Sequence, residues 1–102
     1  MTTKTNSTFE KLERKYGKLT FGSMLRSWRE SADMGQTEFA KKLGISPQNL
    51  NDIEKGRRIP TPTRAAKIAK KLELPAIALI QLAIRDSLYK EGFHYNVLLK
   101  AA

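Results

Sequence analysis

The chain of 102 residues contains no cysteine and a single histidine. Without cysteine there is no disulfide, no thiolate zinc site and no thiol nucleophile, and the composition is compatible with a reducing cytosol. His94 has no cluster of cysteine, histidine or carboxylate residues beside it, which argues against a metal centre and against general-base chemistry. Long apolar runs are missing too. The longest, Ala76 to Ile84, is interrupted by Gln81 and falls well short of the ~20 residues that span a bilayer. Met1 to Thr8 are polar and lack the apolar centre of a signal peptide. These absences lead to the expectation of a soluble, cytoplasmic protein with no membrane partner and no cofactor.

Acidic charge is scarce: Asp plus Glu number 10 against 19 Lys plus Arg, a net charge of +9 with a pI near 10.0. Such a surface favours polyanions, nucleic acid first, although a merely solvated basic face is the plain alternative. The excess sits in two places. Residues 1–20 hold five basic against two acidic side chains, and residues 46–75 hold seven against three. Hydrophobic residues at 40% and charged residues at 28% are ordinary globular usage, so the middle of the chain should fold as one small domain.

Local grammar divides that middle into helices. Phe21, Leu25, Trp28 and Ala32 recur on one helical face behind Thr20 as a cap, and Asp33, Met34 and Gly35 form a turn. Phe39, Ala40 and Leu43 make a second, shorter stripe ended by Gly44. Ser46-Pro47 starts a third helix, because the serine oxygen can accept from an orphan N–H and proline at the first position has none to satisfy. Leu50 and Ile53 face inward there and Gly56 closes it. Thr61-Pro62 repeats the signal for a fourth helix with Ala65, Ile68, Ala69 and Leu72 inward. Pro75 opens a last helix, running to Gly92, whose apolar residues exceed one stripe. Two readings of that excess stand side by side: a central helix with several neighbours, or a surface for a partner.

The flanks read differently. Ser7 and Glu10 have capping-box spacing, and Phe9, Leu12 and Tyr16 then share a face, so residues 1–19 are expected as a basic arm with a short helix, either packed on the core or laid along DNA as a nonspecific or minor-groove contact. Residues 20–92 form the domain. In residues 93–102, Phe93, Tyr95, Val97 and Leu99 alternate with their neighbours, which reads either as a possible strand whose partner would be a second subunit or another protein, or as a disordered tail.

The chemistry lies between Gln36 and Gly56. Two short helices around a tight turn, with the small Ala40 at the crossing, have helix-turn-helix grammar. The third helix would project Gln48, Asn49, Asn51 and Asp52 outward, all able to donate to or accept from a base edge. Other residues read as structure. Phe21, Trp28 and Phe39 belong to buried stripes rather than a stacking ladder, Glu54 suits an internal ion pair, and Ser46 has no histidine to activate it.

The segment Phe21 to about Ile84, about 64 of the 102 residues, resembles the lambda-repressor-like domain of the Cro/cI/Xre family. The residues that carry the likeness are Phe21-Gly-Ser-Met-Leu-Arg-Ser-Trp-Arg29, Gln36-Thr-Glu-Phe-Ala40, Lys42-Leu-Gly44, Ser46, Leu50, Ile53-Glu-Lys-Gly-Arg57 and Pro60. The resemblance implies an all-α, compact five-helix domain that binds operator DNA, usually as a two-fold homodimer. It further implies that Gln36 touches a phosphate and braces the recognition helix, and that Gln48 reads a base. Ser46, Lys55, Arg57 and Arg58 would join Gln36 on the DNA backbone, while Asp52 would face the groove. Pro47 departs from the family, which often has a polar reader there, so the operator does not follow from relatives.

Two functions are weighed. One is a dimeric repressor reading a palindrome in double-stranded DNA, with half-sites about 34 Å apart. The other is an antitoxin that wraps a toxin protein with residues 1–19 or 93–102 and represses its own operon. A partner protein distinguishes them. An enzyme lacks every residue set it would need.

Overall fold

The structure, a computed structural model, describes Arg14 and residues 19–102. The proposed arm helix, with Ser7, Phe9, Glu10, Leu12 and Tyr16, lies outside the described residues. Over residues 19–102 five helices follow one another: α1 (Phe21–Ser31), α2 (Gln36–Leu43), α3 (Pro47–Glu54), α4 (Pro62–Leu72) and α5 (Ala76–Lys90). The domain is all-α, as its periodicities require.

Each boundary has a local cause. Thr20 and Ser23 form a reciprocal capping box at α1, with Ser23 N–H donating to Thr20 Oγ1 at 3.0 Å and Thr20 N–H to Ser23 Oγ at 2.9 Å. Ser46 Oγ accepts from Asn49 N–H at 3.0 Å ahead of Pro47, and Thr61 Oγ1 accepts from Arg64 N–H at 3.2 Å ahead of Pro62. Gly44 ends α2 at φ 75°, a left-handed conformation that costs glycine little, and Ile45 N–H returns to Ala40 O at 3.0 Å. α1 stops one residue short of the stripe read from sequence. Ala32 is its C-cap and is exposed, while Met24, outside that stripe, is 1% exposed.

α5 packs mainly on α4 and also on α1, while α3 packs on both α1 and α2. Phe21, Leu25, Phe39, Leu50, Ile68 and Leu79 meet in one core. Trp28 is half-buried and stacks on Phe39 with ring centroids 5.5 Å apart. From α5, Asp86 Oδ2 accepts Phe21 N–H at 2.6 Å and so caps α1 a second time, and buried Arg85 donates to Leu19 O. Burial raises the Asp86 pKa above its ordinary value near 3.8, against the opposing effects of the Phe21 N–H and of Arg85.

The strand expected over residues 93–102 is absent among the described residues. A strand needs a ladder of backbone partners, and here Leu99 N–H instead donates to Gln81 Oε1 at 2.9 Å. That hydrogen bond and the Tyr89–His94 ring contact, with centroids 4.7 Å apart, set the tail beside α5, and Val97 and Leu99 are half-buried. Phe93, Tyr95 and Leu98 stay 48%, 64% and 56% exposed. Among the described residues no helix is long and apolar enough to cross a membrane.

Candidate nucleic-acid interface

The α2–turn–α3 unit is held from behind by one carboxylate. Glu54, whose side chain is 3% exposed, receives Arg29 Nε on Oε2 at 2.8 Å and Arg29 Nη2 on Oε1 at 3.1 Å. Gln36 Nε2 donates to the same Oε1 at 3.0 Å and to Asn51 Oδ1 at 3.2 Å, while Arg29 Nη1 closes the turn by donating to Met34 O at 3.0 Å. A two-toothed guanidinium–carboxylate pair fixes distance and plane together, so α1, α2 and α3 are locked at one crossing. The Glu54 hydrogen bond holds the Arg29 pKa above its ordinary value despite burial. The internal pair expected of Glu54 is therefore present.

Close approach complements that polar lock. A Cβ on Gly22 would lie 2.1 Å from Ile53 O, so only glycine lets α1 sit against the end of α3. Sequence reasoning gave neither Gly22 nor Arg29 a role. The signal available was a glycine inside an otherwise apolar helical face.

The outer side of α3 has different chemistry. Gln48 is exposed, and its Nε2 donates to Asp52 Oδ1 at 3.1 Å one turn on. Arg57 Nε donates to the same oxygen at 3.1 Å, and the Asp52 carbonyl accepts both Arg57 N–H at 2.8 Å and Arg58 N–H at 3.2 Å. Lys55, Arg57 and Arg58 are exposed around this loop. Asn49 is half-buried and shares a hollow of about 140 Å³ with Arg58, Thr61 and Arg64. Arg64, at the start of α4, thus joins the basic surface without having been singled out from sequence.

The structure divides the expected site residues into two groups. Gln48, Asp52 and Arg57 come together on the outer face, with Lys55 and Arg58 beside them. Gln36 and Asn51 face each other between the helices, and the Ser46 hydroxyl is engaged in capping α3.

Two short helices at a fixed crossing, the second with a polar exposed end and a basic loop after it, define a helix-turn-helix unit. The helix-turn-helix family model matches residues 25–79, and the chain belongs to that family, of the Cro/cI/Xre type. It is a family of transcription regulators rather than an enzyme class. The chain is 35% identical over 78 residues to an uncharacterised HTH-type transcriptional regulator of Archaeoglobus fulgidus, covering 76% of this chain and 34% of that protein. It is 38% identical over 53 residues to the ImmF control region 10 kDa protein of Bacillus phage phi105, covering 52% of this chain and 59% of the phage protein. It is 31% identical over 75 residues to the HTH-type transcriptional repressor RghR of Bacillus subtilis, covering 72% and 50%. The chain therefore spans between a third and three fifths of the length of these relatives. No solved structure matches it significantly.

Proposed function

We propose that the chain is a sequence-specific regulator that binds double-stranded DNA as a homodimer and represses transcription, with α3 in the major groove. The observation that carries this reading is the exposed Gln48 and neighbouring Asn49 at the start of α3, beside exposed Lys55, Arg57 and Arg58, on a helix held by the buried Arg29–Glu54 pair. Gln48 can bond adenine through both amide atoms, and Asn49 lies one residue further along the same end. Lys55, Arg58 and Arg64, and to a lesser degree Arg57, hold phosphates, which gives register and affinity but no sequence discrimination. Asn51 Oδ1 accepts from Gln36 Nε2, so Asn51 braces the helix from within, with its Nδ2 donors left for DNA.

The size of the reader supports a dimer. The eight residues of α3 extend only about 12 Å, enough for a few base pairs, and so short a site recurs throughout any genome. Two copies on an inverted repeat double the information read. Exposed Phe93, Tyr95 and Leu98 supply apolar surface for a contact between copies, and the same surface supports the second reading, in which a toxin protein occupies it.

Selection from a pool of randomised duplexes, followed by binding across a salt series, tests the proposal. Enrichment of an inverted repeat with half-sites about one helical turn apart is expected. Equal, salt-sensitive binding to every duplex would overturn it.

A further inference from the structure

Asp52 was expected to read a base, yet one oxygen of its carboxylate already receives two side chains of the protein. Both Gln48 Nε2 and Arg57 Nε donate to Oδ1 at 3.1 Å, and the side chain is 20% exposed against 57% for Arg57. We infer that Asp52 is a positioning residue that sets the specificity of α3 by orienting the Gln48 amide and holding Arg57 back from phosphate. The inference rests on the DNA-binding reading above and names the residue that tunes it.

The physical argument has two parts. An ionised carboxylate only accepts hydrogen bonds, so the Gln48 amide must turn its nitrogen, not its oxygen, toward Asp52. One of the two Nε2 hydrogens is used there, leaving the other and Oε1 as the donor–acceptor pair that matches adenine N7 and N6. Without that acceptor the terminal amide torsion is broad and two-fold, and both orientations are offered to the groove. Arg57 is affected by charge instead. Paired with Asp52 it contributes less to phosphate binding, and the carboxylate itself repels phosphates of any sequence. Both effects lower nonspecific affinity relative to specific affinity. Side-chain replacement leaves the loop anchored, since Arg57 N–H and Arg58 N–H are held by the Asp52 main-chain carbonyl.

Two variants separate the parts. Asp52→Asn removes the charge but keeps an oxygen facing Gln48. It should bind all duplexes more tightly, with a salt slope steeper by about one unit, while preference at the base pair read by Gln48 is retained. Asp52→Ala should show the same steeper slope and also lose that preference by roughly five- to hundredfold, matching the loss in Gln48→Ala. The double variant Gln48→Ala, Asp52→Ala should lose no more preference than Gln48→Ala alone. In DNA-free protein the Gln48 side-chain amide resonances should shift in Asp52→Ala. Altered preference at a different base pair would make Asp52 a direct reader and overturn the inference, as would parental slope and preference in Asp52→Ala or unmoved Gln48 resonances. A parent protein with no preference among duplexes would instead remove the DNA-reading assignment itself.

Discussion

Asp52 and Glu54 stand two residues apart on α3, each paired with an arginine, and their surroundings give the pairs opposite uses. Glu54 is 3% exposed, grips Arg29 with both oxygens and takes a third hydrogen bond from Gln36. Asp52 faces outward, and one oxygen receives both Gln48 and the largely exposed Arg57. The buried pair cannot be opened without stranding a charge away from water, whereas the outer pair is reached by solvent and contributes only about 1 kcal/mol or less to stability. Helical periodicity explains the division: a step of two residues turns a side chain by about 200°, from the core side to the outer side.

The strongest way to break this contrast is Arg29→Ala. It should lower stability by about 3 kcal/mol, near the bottom of the range for a severed buried pair because Gln36 still donates to Glu54, as denaturant unfolding would measure. Gly22→Ala should cost about 2 kcal/mol by driving a methyl group into Ile53 O, and should weaken DNA binding by displacing α3. Unchanged stability there would show that α1 can move off α3 freely. Arg57→Ala with Arg58→Ala addresses the outer pair. Stability should stay within about 0.5 kcal/mol of the parent, while affinity falls for every sequence and the salt dependence flattens. Equal salt slopes for variant and parent would remove both arginines from the phosphate contacts.

A third carboxylate, Asp86, sharpens the comparison because it is half-buried and accepts the Phe21 N–H on one oxygen. Its native pKa lies above the unfolded value near 3.8, so the native state binds the proton more readily. This group's contribution to stability is therefore full below about 3.8 and is lost as pH rises through the raised native value. Asp86→Asn keeps an acceptor for Phe21 N–H and removes the titration. The parent-minus-variant stability difference should grow as the medium is made weakly acidic, and a flat difference would contradict the assignment.

Helix boundaries were legible in the sequence wherever their cause was local. Ser46-Pro47, Thr61-Pro62, Gly44 and Gly56 each mark a boundary through interactions within a few residues, and each does so in the fold. Alternation in residues 93–99 left a partner-dependent strand and an irregular tail both open, and within the chain Leu99 N–H turns to Gln81 and no strand forms among the described residues. At the candidate site, Gln48 and the basic loop could be picked out as polar residues after a capped helix start. The inward turn of Asn51 and the role of Arg29 could not, since both depend on α1 and α2 being present beside α3.

Sequence alone determined the helical identity of the domain, the boundaries of its helices and the basic character of the surface around α3, because capping, periodicity and charge act over a turn or two. Tertiary structure alone decided which of the polar residues on α3 face outward. Helix crossing brought Gly22 against Ile53 O and Arg29 against Glu54, contacts between residues 25 or more positions apart in the chain, and these set the rotation of α3 that leaves Gln48 exposed and draws Asn51 toward α2.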